Sequence, residues 1–143
     1  LAIATRAGAR RVQLHRVDPA AWPEDFPLPA AIAIPVARDG SLGEALPRPG
    51  HLAMLDTANE RLAGGTGEIF PWETARIVAA TRPVLLAGGL DAERVTGALE
   101  RVRPFGVDAS SRLERAPGIK DPDKVWRFVA AVRAWDERPR GWA

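Results

Sequence analysis

The sequence has no cysteine and no tyrosine, and its lysines are Lys120 and Lys124. Without cysteine there is no disulfide, no thiolate nucleophile and no thiolate metal ligand in these 143 residues, although the redox compartment stays open. Because so few groups titrate between histidine and arginine, a sequence pI near 9.9 overstates the basicity of a chain whose formal net charge is +2. The arginines are scattered and mostly adjoin acids, so no basic stripe follows a nucleic-acid backbone. No stretch approaches the ~18 apolar residues of a membrane span, and no charged-then-apolar signal segment opens the chain. Neither nucleic acid nor membrane is expected as a partner. What is present, 46% hydrophobic and 27% charged residues, suits one soluble domain spanning residues 1–143 with a core of its own.

Strand and helix signals alternate along the chain. Residues 11–15 (RVQLH) set Val12 and Leu14 against Gln13 and His15, the period of a short strand. Residues 31–37 (AIAIPVA) form a continuous apolar run, as strands covered on both faces do, with Pro35 an obstacle to a regular ladder. Residues 51–57, 83–86 and 106–108 supply three more strands. Helical signals fall on residues 1–7, on 19–22, over at most two turns of 41–46, on 72–81 with Ile77 and Val78 towards the sheet, and on 91–102. The last helix starts with Asp121 as cap and Pro122 at its first position, and carries an apolar stripe of Val125, Phe128, Val129, Val132 and Trp135. Residues 137–143 read as a tail. Five such alternations predict an α/β fold, a parallel sheet with outer helices.

The stretch 82–114 organises the rest. Gly88 and Gly89 lack a Cβ, so their amides can approach an anion closely, and the helix that opens after Asp91 directs its positive dipole end to the same place. Ser110 and Ser111, after the next strand, add hydroxyl and amide donors, which makes a phosphate cradle at the carboxyl edge of a parallel sheet. The bland alternative is a tight turn and a capped loop. Asp108 either supports this site from beneath or is structural. Asp56 ends the apolar strand 51–57, where it either caps the following loop or is a catalytic group at a strand end.

These residues resemble a known family. Residues 86–90 (LAGGL), 107–111 (VDASS), Glu114 and 117–121 (PGIKD), with 12–15 (VQLH), 55–57 (LDT) and 64–67 (GGTG) upstream, are similar in kind and order to phosphoribosylanthranilate isomerases of tryptophan biosynthesis. The resemblance implies a (β/α)8 TIM barrel of about 200 residues, here a partial barrel of about five parallel strands with outer helices. A start at Leu1, within a helix, suggests that about three βα units precede this chain. It further implies an Amadori rearrangement of an aminosugar phosphate, with Asp56 as the general acid that protonates the ring oxygen of the sugar. Acid and base on opposite sides of one sugar suffice for this chemistry, so no metal and no organic cofactor is expected. In the family the base is a cysteine at the end of the first strand, so the chain alone is expected to be weakly active or inactive.

By the same resemblance His15 stands beside the substrate, the alternative being a structural histidine, and Gly88, Gly89, Asp108, Ser110 and Ser111 bind it. Gly64, Gly65, Thr66 and Gly67 form either a flap over the substrate or a passive loop. Arg112 replaces the family's usual glycine, and either pairs with the phosphate or loosens the cradle. The family also implies a cytoplasmic location and a phosphorylated sugar as partner. Two rival readings are another phosphate-binding barrel, of the histidine-pathway isomerase or indole-glycerol-phosphate synthase type, and a non-catalytic partial barrel that binds phosphate ligands. An open part-barrel would expose two sheet edges, which favours self-association or pairing with a separate N-terminal piece.

Overall fold

The structure, a computed structural model, describes residues 2–18, 26–37, 39–43, 45–57 and 72–138. Five strands, β1 (Val12–Leu14), β2 (Ala30–Val36), β3 (Leu52–Thr57), β4 (Val84–Leu86) and β5 (Gly106–Val107), lie side by side in chain order and every neighbouring pair is parallel. A sheet in which each strand joins the next in sequence must return over one face every time, the curl of a (β/α) barrel wall. The helices are α1 (Ala2–Arg6), α2 (Trp72–Ala79) between β3 and β4, α3 (Ala92–Val102) between β4 and β5, and α4 (Pro122–Asp136) after the sheet.

Side chains alternate between the two faces of a strand, and the register sorts them. One face carries Ile34, Val36, Ala53, Leu55, Val84 and Leu86, buried against Trp72, Ala75, Val78, Val95, Leu99, Val102 and Phe128 of the helices. The other carries a smaller cluster of Ala33, Met54 and Ala87 with Leu85 against it. β2 is therefore apolar throughout because both its faces are covered.

Capping sets the helix starts. Asp91 accepts a hydrogen bond from the Arg94 amide at 3.0 Å, and Asp121 accepts from the amides of Asp123 (3.0 Å) and Lys124 (3.2 Å) ahead of Pro122, as expected. On α4, Val125, Phe128, Val132 and Trp135 pack on the core together with Ala131, whereas Val129 is 38% exposed and lies off the stripe.

Three further local expectations are corrected. In α2 the buried side chains are Trp72, Ala75 and Val78, one every three residues, so Ile77 falls on the outer side and is 56% exposed. Residues 39–43 form no helix. The Asp39 carboxylate accepts from the Ser41 amide at 2.9 Å and the Ser41 hydroxyl at 2.6 Å, which folds the chain back so that Leu42 bridges Val36. Pro35, an expected obstacle, stays in register opposite Asp56, and its carbonyl accepts from the Gly43 amide at 2.8 Å. The helix expected at 19–22 and the end of the tail lie outside the described residues. Not anticipated were a 3-10 turn (Ser111–Leu113) and the hairpin of β6 (Glu114–Ala116) and β7 (Ile119–Lys120).

At the amino edge of the sheet, the amide of fully buried Ala30 donates to His51 Nδ1 at 3.1 Å, an acceptor role that puts the ring proton on Nε2. The Arg82 guanidinium donates to the carbonyls of Pro47 (2.6 Å), His51 (3.1 Å) and Arg48 (3.3 Å), tying this connection to the start of β4. His51→Phe, which strands the Ala30 amide without an acceptor, is expected to cost about 1–3 kcal/mol in chemical denaturation.

Candidate functional site

The carboxyl ends of the five strands bring most of the predicted site residues to one edge. Register places Gln13 beside Ala31, Ala33 beside Met54, Met54 beside Leu85, and Leu85 beside Gly106, so these side chains share the face opposite the helices. Asp56 follows Met54 by two residues and so belongs to that same face, opposite the described helices, as does Asp108 two residues after Gly106. Asp56 is half-buried at the end of the central strand. The ladder continues past β4 and β5, because the Ala87 amide donates to the Leu55 carbonyl and the Asp108 amide to the Leu86 carbonyl, each at 2.8 Å. Successive strands lie about 4.8 Å apart, so Asp56 is one strand from the Gly88 turn and two from Ser110, a span that suits one small phosphorylated molecule.

Gly88 and Gly89 both have positive φ, 95° and 62°, a pair of conformations that glycine adopts freely. The turn leads at once into Asp91 and the amino end of α3. Arg94 donates to the Gly89 carbonyl at 3.2 Å and lies 3.4 Å from Asp91 Oδ2, so the first turn of the helix holds the glycine turn in place. Arg112 reaches the same oxygen at 3.8 Å. Arg112 is therefore engaged by the α3 cap, and it links the turn after β5 to the turn after β4.

Ser110 is held by a residue ten positions later. Lys120 donates to the Ser110 carbonyl at 3.0 Å, to its hydroxyl at 3.1 Å and to Glu114 Oε1 at 2.8 Å. Lys120 and the Gly118 amide, which donates to Glu114 Oε2 at 3.1 Å, hold the Glu114 carboxyl below its usual range. A lowered carboxylate pKa lends stability that is full above the ordinary glutamate value and is lost as pH falls through the lowered one. The Gly118 amide proton is expected to follow that titration in an NMR pH series. Sequence reading placed Lys120 in the 117–121 match but gave it no role, because nothing at 110 points to 120. The usable signal was the PGIK turn, which folds a hairpin back on the cradle.

His15 sits just past β1, and its Nε2 lies 2.8 Å from Gln13 Nε2 on its own strand. β2 separates it from β3, so the structure does not bring it against Asp56. Gly64, Gly65, Thr66 and Gly67 lie outside the described residues. A cleft of about 330 Å³ opens between the starts of α3 and α4 and the 3-10 turn, lined by Asp91, Ser111, Arg112, Lys124 and Arg127 among others. Of the predicted cradle residues only Ser111 lines it, so the cleft lies beside the strand-end site and not in it. Among the described residues no cluster of His, Asp or Glu could hold a metal, and no helix is long and apolar enough to cross a membrane.

The family model of N-(5'-phosphoribosyl)anthranilate (PRA) isomerase matches residues 1–131. The chain is 41% identical over 123 residues to the N-(5'-phosphoribosyl)anthranilate isomerase of Magnetococcus marinus, covering 86% of the chain and 59% of that relative. It is also 41% identical over 129 residues to the enzyme of that name from Syntrophus aciditrophicus, covering 90% and 56%. Among solved structures, phosphoribosyl anthranilate isomerase from Thermotoga maritima superposes with a TM-score of 0.70 at 26% identity, over 93% of this chain and 66% of that one. The chain thus spans less than two thirds of the length of these proteins.

Proposed function

The chain belongs to the N-(5'-phosphoribosyl)anthranilate isomerase family, and from that membership we propose that its residues act in the isomerisation of N-(5-phosphoribosyl)anthranilate to 1-(2-carboxyphenylamino)-1-deoxyribulose 5-phosphate, in tryptophan biosynthesis. The observation that carries the reading is the order of strand ends. An aspartate, a glycine pair and a serine pair follow one another at the carboxyl edge of β3, β4 and β5.

In this reading the Gly88–Gly89 turn, Ser110 and Ser111 hold the phosphate, and Asp108 supports them from β5. Asp56 donates its proton to the ring oxygen as the bond from that oxygen to C1 breaks, leaving an iminium between C1 and the anthranilate nitrogen. A base then takes the proton from C2, and the resulting enolamine tautomerises to the ketone. All atoms stay within the substrate, so the rearrangement uses proton transfers alone. The base is no cysteine of these residues, which contain none. His15 stands at the rim of the same edge as a substrate contact. The 143 residues act as one unit, and a cytoplasmic location accords with this pathway.

The test is turnover. The natural protein is expected to convert N-(5-phosphoribosyl)anthranilate to the ketosamine. The 143-residue chain by itself is expected to bind phosphate but to convert little. Absence of conversion by the natural protein would overturn the reading.

A further inference from the structure

The Ser110 hydroxyl has a polarity imposed on it. An ammonium group carries three N–H donors and no acceptor, and the three of Lys120 meet the Ser110 carbonyl, the Ser110 Oγ and Glu114 Oε1. Towards Lys120 the hydroxyl must therefore accept, and its own O–H proton is turned away from the ammonium. The arrangement is supported from behind. Lys120 stands in register opposite Glu114 across the hairpin, the Glu114 side chain is only 17% exposed, and the Glu114 carbonyl accepts from Lys124 Nζ at 2.8 Å. The Lys120 contact to the Ser110 carbonyl pins the main chain that leads to Ser111 as well.

We propose that Lys120 is a positioning residue that turns the Ser110 O–H away from its own ammonium as a polarised donor, and so favours an anionic acceptor, such as a phosphate monoester dianion, at that corner of the site. The inference rests on the phosphate-cradle reading given above. A ligand ammonium placed there would meet the Lys120 charge, whereas a phosphate oxygen meets a hydroxyl polarised by an adjacent positive charge.

The experiment is a double-mutant cycle read by titration of inorganic phosphate into the full chain, with melting curves as the control for folding. Lys120→Met and Ser110→Ala are each expected to weaken phosphate binding about tenfold, and the double variant little more than either single one. An equal loss on Lys120→Met in the Ser110→Ala background would show a bare charge effect and overturn the proposal. Where Lys120→Met does not fold, Lys120→Gln takes its place, and Ser110→Ala with unchanged phosphate affinity overturns the proposal by itself. In the natural protein Lys120→Met should raise KM and leave kcat near its original value, which a general loss of structure would not do. Failure of the folded chain to bind phosphate overturns this proposal whatever the turnover. Coupled phosphate binding by the chain together with no turnover by the natural protein overturns the isomerase reading and leaves this one standing.

Discussion

Asp56→Asn in the natural protein is expected to lower kcat for the isomerisation by about 10²–10⁴-fold, with melting temperature and phosphate affinity close to their original values. The two side chains have nearly the same shape, and both accept hydrogen bonds, so a loop-capping role would survive the change. Only the acid role fails, because the amide N–H is too weakly acidic to give its proton to the ring oxygen. Position argues for the same result. The residue lies at the carboxyl end of the central strand, on the face opposite the described helices. Full activity in Asp56→Asn would return the residue to the capping role, and the proton would have to come from elsewhere on this edge.

That strand-end position was readable in advance from the apolar run before it. An apolar run that ends in a single acid places it at a strand end, and the register of β3 with β2 and β4 then fixes its face. The five strands and the caps of α3 and α4 were legible for similar local reasons, since Asp91 and Asp121 each bond to amides two or three residues on. What was not legible depended on contacts that sequence spacing does not show. Ile77 and Val78 are neighbours of equal hydrophobicity, and which one is buried is settled by where Trp72 and Ala75 meet the core. The short helix expected near residue 41 lost to an aspartate side chain that bonds two residues ahead, a competition that helix propensity alone does not capture. At the site, Gly88, Gly89, Ser110 and Ser111 stood out as small residues after strands. Lys120 and Arg94 had no role in the sequence reading, and Arg112, read there as a phosphate partner or a disturbance of the cradle, proves to meet the α3 cap at Asp91.

The glycine turn gives the second large effect, and it separates two positions that look equivalent in sequence. Gly89 has φ +62°, inside the left-handed region that asparagine tolerates, and a Cβ built there would meet nothing within 4 Å. Gly88 has φ +95°, well away from that region's centre, where any side chain strains the backbone. Gly89→Asn is therefore expected to cost no more than about 1 kcal/mol, whereas Gly88→Ala should cost about 1–3 kcal/mol in chemical denaturation. Arg94 and Asp91 keep the following residues where they are, so the strain in Gly88→Ala has to be relieved in the turn itself, and the cradle amides move with it. Phosphate affinity should then fall about tenfold or more in Gly88→Ala and far less in Gly89→Asn, since charge-assisted hydrogen bonds to an anion depend steeply on geometry. Unchanged phosphate affinity in a folded Gly88→Ala variant would mean that the anion is not held by this turn, and would move the cradle entirely to the Ser110 side.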